Sequence, residues 1–395
     1  MSDLNSVVIV GIKRTPVGAF QGALSALPAT RLGSLAIKGV VEETGIDPTA
    51  INEVIMGNVL PAGEGQAPAR QAALGAGLPE AVECLTINKV CGSGLKAVML
   101  ATQAIQTGDA DIIIAGGMES MSNVPYLLPQ ARAGHRLGHG KVIDGMIHDG
   151  LWDVYNDIHM GNCAELCARD RQYSRAQQDE FARESYRRAQ AAQAAGWFDA
   201  EIVPVEIPQR KGDPVLITAD EEPGRANFEK MGTLKPAFEK DGTITAANAS
   251  KINDGAGAAL LMSAIKAAEL GLKPLVRVIA QASAAQAPEW FTTAPVKAIK
   301  KALAKAGLTA DQIDLWEINE AFAPVTLAAI DDFRIDPAKV NINGGAIAIG
   351  HPIGASGLRI FATLIHAMQR TGARCGLATL CIGGGEGSAV IVEAI

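Results

Sequence analysis

The chain carries an internal copy of itself, and that duplication constrains its fold more than any other feature. Ile87-Asn88-Lys89-Val90 runs into Cys91-Gly92-Ser93-Gly94-Leu95-Lys96, then an amphipathic stretch stopped at Gly108, then Asp111-Ile112-Ile113-Ile114-Ala115-Gly116-Gly117. The same order recurs later: Val340-Asn341-Ile342-Asn343, a Gly-rich turn, Ser356-Gly357-Leu358-Arg359, a helical stretch to Thr371-Gly372, and Leu377-Ala378-Thr379-Leu380-Cys381-Ile382-Gly383-Gly384-Gly385. Ser-Gly-Leu-Lys faces Ser-Gly-Leu-Arg, and Gly-Gly-Met-Glu faces Gly-Gly-Gly-Glu. Earlier elements also correspond: Val7–Val10 with Leu275–Ile279, and Ile51–Asn58 with Ile313–Asn319.

Each copy reads strand, helix, strand, with apolar runs short enough for buried strands and a 3.6-residue period between them. The expected fold class is therefore α/β, two related units each built on a mixed, largely buried sheet. Equivalent strand ends, and their turns, then lie side by side. The first unit is expected over residues 1–119, completed by 250–272 through the strand-like Asn253–Met262, and the second over 273–395. Residues 120–249 are more charged and irregular and read as an inserted loop or lid domain. Within it, the capping box Ser174-x-x-Gln177 predicts a helix over Arg175–Ala195 closed by Gly196.

A chain of 395 residues, 48% hydrophobic, has material for two or three domains. Its 42 glycines exceed the typical roughly 7%, which suits tight turns and close backbone approaches. A formal charge of −7 offers no positive field for a phosphate backbone or an anionic bilayer, so neither nucleic acid nor membrane is an expected partner. No apolar run approaches the roughly 18 residues of a spanning helix, and neither terminus reads as a secretory or retention signal, so the cytoplasm is the expected compartment. Six cysteines without a Cys-x-x-Cys pair read as free thiols.

Cys91 follows a strand and opens a helix, where unpaired N–H groups and the helix dipole favour an anion, so a depressed thiol pKa and nucleophilic character are expected. Buried free cysteines are commonly inert, and that reading stays open beside it. His351 lies in the Gly-rich turn Gly344–Gly357 of the other copy, as a backbone-bonded turn histidine or as a base for Cys91. Cys381 ends a strand beside Gly383, whose turn has N–H groups free for an oxyanion. Asn319 stands at another strand end, as a helix cap or a water holder. The pairs His135/His139 and Cys163/Cys167 have helical spacing but no further ligands, so no metal is expected.

Four motifs together resemble the thiolases: Asn88-Lys89-Val90-Cys91-Gly92-Ser93-Gly94, Asn319-Glu320-Ala321-Phe322, the Gly344–Gly357 run around His351, and Cys381-Ile382-Gly383-Gly384-Gly385. Within that superfamily, Gly117–Tyr126 and His159-Met160-Gly161 resemble the acetyl-CoA acetyltransferases, with broader 3-ketoacyl-CoA thiolases as the near alternative. The resemblance implies the duplicated five-layered αβαβα thiolase fold, usually as a homotetramer, acting on acetyl-CoA, acetoacetyl-CoA and CoA without a resident cofactor. It implies Cys91 as the acylated nucleophile, His351 as its activator and Cys381 as the acid/base for the α-proton. Asn319 would hold a water that with His351 forms one oxyanion hole, and the N–H groups of Cys91 and Gly383 form the other. Arg225, Phe238, Ala246, Ser250, Ala321 and Phe322 would line the coenzyme A path, with His159 and Met160 near the pantetheine and acyl end. Two departures stand out: Glu386 where Gln, Met or Gly is often seen, and Pro223 where potassium-binding mitochondrial relatives carry tyrosine. A non-catalytic acyl-CoA-binding relative and a thiol redox protein using Cys91 and Cys381 are the other readings.

Overall fold

The computed structural model describes residues 6–395. Ten strands form its main sheet: β1 (Val7–Arg14), β2 (Gly18–Ala19), β3 (Glu53–Gly57), β4 (Glu83–Ile87), β5 (Ile112–Ser120), β6 (Asn253–Ser263), β7 (Val276–Ala285), β8 (Leu315–Ile318), β9 (Cys375–Ile382) and β10 (Glu386–Ala394). Their order is β8-β9-β10-β7-β1-β6-β5-β3-β4, with β2 on β6. Read from the centre outward, β7-β10-β9-β8 repeats β1-β6-β5-β3. The halves meet where β1 pairs antiparallel with β7 through Val8–Arg277 and Ile9–Val276. The two units thus share one continuous sheet.

Eight helices matter for the site: α1 (Ala29–Thr44), α2 (Pro68–Gly75), α3 (Ser93–Thr107), α4 (Met160–Asp170), α5 (Arg175–Ala194), α6 (Ala294–Ala306), α7 (Ala323–Phe333) and α8 (Ser356–Thr371). Helices α1 and α2 cover the outer face of the first half, and α6 and α7 that of the second. Helices α3 and α8 lie between the halves. There Leu95, Val98, Leu358 and Phe361 share one core with Ile113 and Ala115 on β5, Leu380 on β9 and Val390 on β10. The result is five layers, α-β-α-β-α. Fully burying each large apolar side chain in that central layer contributes roughly 1.5–3 kcal/mol.

The duplicated motifs explain how two helices fit there. Both α3 and α8 end at a left-handed glycine, Gly108 (φ +81°) and Gly372 (φ +73°), where other residues are strained. At their start, a Cβ on Gly94 would fall 2.9 Å from the Leu358 nitrogen, and one on Gly357 2.3 Å from the Leu95 nitrogen. The two Ser-Gly-Leu motifs therefore pack backbone to backbone across the pseudo-dyad. This brings the turns before both helices together.

The expected strand over Val340–Asn343 is replaced by a single bridge from Val340 to Trp316 followed by a turn. Asn341 adopts φ +46°, and its side chain takes over the pairing: Oδ1 accepts from Ile318 N–H at 2.8 Å and Nδ2 donates to Ile318 O at 2.9 Å.

Between β5 and β6, α5 runs over Arg175–Ala194 with the Ser174/Gln177 capping box formed. Its Tyr186, Ala189 and Ala192 pack on Ile347–Ile349, just before His351. Ser185 Oγ donates to Glu320 Oε2 at 2.7 Å and accepts from Gly345 N–H at 3.0 Å. The segment is tied to β1 by fully buried Arg14, which pairs with Glu201 and, in two bonds, with Asp220.

Candidate active site

Cys91 sits in the turn between β4 and α3, half-buried, with Gly92 as the helix N-cap and Ser93 as the first helical residue. The preceding Val90 adopts φ +45°, a rare conformation for a β-branched residue. It is held by Asn88 Oδ1, which accepts from Val90 N–H at 2.9 Å, and by Ser93 Oγ, which accepts from Lys89 N–H at 2.8 Å and donates to Val90 O at 2.7 Å. The N–H groups of Cys91 itself and of Gly383, from the opposite copy, both favour the thiolate form of Cys91.

The depressed pKa expected for Cys91 is overturned. Burial pushes the thiol up to about 11, and the pull of those two N–H groups does not offset it. Glu119 adds to the rise. Cys91 therefore rests as a thiol and needs a base. Cys381, fully buried at the end of β9, is likewise raised by burial, with Cys91 contributing.

His351 lies 5% exposed in the turn after the short helix Ala346–Ile349. Its N–H donates to Asn253 Oδ1 at 2.8 Å, and Gly350 at φ +119° lets the chain pass against that side chain. His351 Nδ1 lies 2.6 Å from Ser356 Oγ, whose own proton goes to Pro352 O at 2.8 Å. The hydroxyl must then accept, so Nδ1 carries the imidazole proton and Nε2 presents a lone pair. Nε2 has no partner among the described residues. Burial first, and Arg359 second, lower the imidazole pKa to about 3, so it is neutral and able to take a proton. Asn319 Nδ2 lies 3.5 Å from His351 Nδ1, and Asn319 Oδ1 is buried without a partner.

The structure gathers these four side chains. Cys91 packs against the cluster containing Ile353, two residues past His351, and faces Gly383, two residues past Cys381. Cys381 joins Met160, Ala321, Phe322 and Phe291 in another cluster, with Phe238 packed on it. Phe238 stacks on His159 at 4.8 Å between ring centroids and meets Phe322 edge-on at 6.0 Å. Gly161 allows this, because a Cβ there would fall 2.3 Å from the Phe238 ring. Ser250 N–H donates to Ala321 O at 3.0 Å, so the segment leading to β6 runs along the same wall. Ala246 and Arg225 are exposed and stand outside that cluster, Arg225 lying 3.6 Å from Glu221.

His135 and His139 are exposed in a loop, and Cys163 and Cys167 are buried on α4. No group of three or more metal-ligating side chains occurs among the described residues.

Sequence reasoning missed three contributors. Ser356 sets the imidazole tautomer, Asn253 anchors the His351 backbone, and Ser93 braces the Cys91 turn. The repeated Ser-Gly-Leu motif was the available signal for both serines.

The family profile described as thiolase, N-terminal domain, matches residues 7–265, and that described as thiolase, C-terminal domain, matches residues 272–394. The chain belongs to the thiolase family. It is 56% identical over 391 residues to the acetyl-CoA acetyltransferase of Cupriavidus necator, covering 99% of this chain and all of that relative. The Schizosaccharomyces pombe acetyl-CoA acetyltransferase is 52% identical over 390 residues, 98% of this chain and 99% of the relative. Acetyl-CoA acetyltransferase 2 of Arabidopsis thaliana is 54% identical over 389 residues, 98% and 96% of the two chains. This thiolase thus matches these relatives end to end.

Proposed function

We propose that this thiolase is an acetyl-CoA C-acetyltransferase that condenses two acetyl-CoA to acetoacetyl-CoA and CoA, and runs the reverse thiolysis, through an acetyl-Cys91 intermediate. The observation that carries the reading is the free lone pair of buried His351 Nε2, in the turn whose Ile353 packs with Cys91, beside a thiol on which the N–H groups of Cys91 and Gly383 act. Such donors stabilise the oxyanion that forms when a thiolate adds to a thioester. The names of the relatives supply the substrate.

His351 Nε2 takes the Cys91 proton as sulfur attacks the acetyl carbonyl. The departing CoA thiolate takes the proton of Cys381, leaving acetyl-Cys91 and a Cys381 thiolate. That thiolate removes the α-proton of a second acetyl-CoA, while His351 Nε2–H and a water held by Asn319 bind the enolate oxygen. The enolate carbon attacks acetyl-Cys91, the Cys91 thiolate leaves, and His351 returns its proton. A thiolate suits both roles of Cys91, as nucleophile and as leaving group. Coenzyme A enters as substrate and leaves as product, so the chemistry calls for no resident cofactor.

We extend the proposal to a cytoplasmic homotetramer. Six unpaired cysteines suit a reducing compartment, and exposed Tyr126, Leu128, Leu137 and Val142 after β5 supply apolar surface for assembly. Sedimentation of the purified chain as a monomer would remove the tetramer.

The decisive experiment is incubation with acetyl-CoA followed by peptide mass spectrometry. Cys381→Ser should accumulate an acetyl group on Cys91 without condensing, and Cys91→Ser should do neither. An adduct on Cys381 alone, or none, overturns the assignment.

A further inference from the structure

Glu119 and Glu386 occupy matching positions in the two copies, each directly after a Gly-Gly-X run. Glu119 is fully buried and receives four N–H groups. Oε1 accepts from Asn58 Nδ2 and Leu60 N, each at 3.1 Å, and Oε2 from Val59 N at 3.0 Å and Gly354 N at 2.8 Å. Gly354 belongs to the His351 turn of the other copy, and a Cβ there would lie 2.5 Å from Glu119 Oε2. Glu386 reaches the other way: its Oε2 pairs with Lys89 Nζ, two residues before Cys91. Each glutamate thus comes from one copy and grips the reactive turn of the other.

We propose that Glu119 and Glu386 are reciprocal positioning residues, each holding the opposite copy's reactive turn in register; this rests on the reaction assigned above. The need for a brace is visible at Val90, whose left-handed backbone persists only where neighbours over-determine it. Ser93 and Asn88 hold that turn from within, and the Lys89–Glu386 pair holds it from across the dyad. A partly exposed ion pair adds little to global stability, so its loss should register in the geometry at Cys91 and not in melting. Glu119 does the same for the His351 turn: three donors from Asn58–Leu60 of its own copy fix the carboxylate, and Gly354 N–H ties the other copy's turn to it.

The test uses Lys89→Ala, Glu386→Ala and the charge swap Lys89→Glu/Glu386→Lys. Two quantities are measured: the rate of Cys91 alkylation by iodoacetamide, followed on its peptide, and kcat and KM for acetyl-CoA condensation. Both single variants should lose about 5–10-fold in alkylation rate and in kcat, with KM and the melting midpoint near wild type, since small misplacements of reacting groups are costly. The two change local charge in opposite senses, so a common fall separates positioning from a field effect. The swap should recover to within about threefold of wild type. Glu119→Gln, which puts an amide donor among four donors, should cut kcat at least as far with little change in KM. Singles within twofold of wild type, or a folded swap that recovers nothing, overturn the proposal. Were wild type inactive towards acetyl-CoA while the singles still alkylated slowly, the reaction assignment would fall and the positioning role would stand.

Discussion

His351 Nδ1 and Ser356 Oγ lie 2.6 Å apart, and because that hydroxyl already donates to Pro352 O, the imidazole is locked with its proton on Nδ1. The free lone pair on Nε2 is thus a consequence of a serine five residues along the chain. The dyad-related serine, Ser93, is spent on the backbone of the Cys91 turn.

Ser356→Ala should therefore uncouple binding from chemistry. Without the acceptor, the neutral imidazole divides between tautomers and can rotate, so kcat should fall about 10–100-fold, a part of the roughly 10²–10⁴-fold a general acid–base group contributes. KM should stay within about threefold, because Ser356 is buried away from solvent. Steady-state condensation kinetics check it, and an unchanged kcat would mean that the tautomer is set elsewhere.

A second outcome concerns the dyad contact. Gly357→Ala would place a methyl 2.3 Å from the Leu95 backbone nitrogen, which no rotamer change relieves. Overpacking of this kind costs roughly 1–3 kcal/mol and here falls at the upper end. Gly224→Ala, with nothing within 4 Å of the new methyl, should stay within about 0.5 kcal/mol of wild type. Denaturant midpoints of the two variants decide it.

Much of this architecture was legible in the duplication. The repeat placed equivalent strand ends and their turns side by side, and hence showed which turns share a site. The direction of the Cys91 pKa was not legible, because the helix start is visible in sequence whereas the burial that raises the thiol is a tertiary fact. Nor could spacing reveal the bond from Gly354 to Glu119, whose partners are 235 residues apart. Asn341 looked like strand because its neighbours are apolar, yet its side chain imitates a strand partner for Ile318. Short polar side chains that replace backbone pairing leave no period to read.

The aromatic wall beside Cys381 predicts acyl-chain selectivity. Phe238, Phe291 and Phe322, with Met160, pack in the cluster that contains this thiol. Thiolysis of 3-ketoacyl-CoA substrates should fall about tenfold or more at the first lengthening beyond acetoacetyl-CoA. That exceeds the lower end of the roughly 1–3 kcal/mol a methylene is worth in a pocket. Phe238→Ala should flatten the series and raise KM for acetyl-CoA, since His159 loses its stacking partner. A flat wild-type series would favour the broader 3-ketoacyl-CoA thiolase.

The buried imidazole also makes a prediction in pH. With the His351 pKa lowered to about 3 and the Cys91 thiol raised to about 11, neither group changes charge between pH 5 and 9. Condensation kcat/KM should be level across that range, without the fall below about 6.5 that an exposed histidine would impose. The stability consequence follows from proton counting. Between about 6.5, the unfolded value, and 3, the unfolded chain binds a proton on this residue that the folded chain refuses. The cost is absent above pH 6.5, grows as pH falls, and is complete near pH 3. Glu317 acts in the opposite sense: burial raises it to about 8, so the stability it contributes is full below about 4.5 and is lost as pH rises through 8. Comparing wild type with His351→Gln cancels that carboxyl. The unfolding free energy of the variant relative to wild type should rise steadily from pH 6.5 to pH 4, by an amount on the order of 2–3 kcal/mol. Urea titrations at half-unit pH steps would show it, and a difference that stays constant with pH would mean the imidazole is solvated and titrates normally.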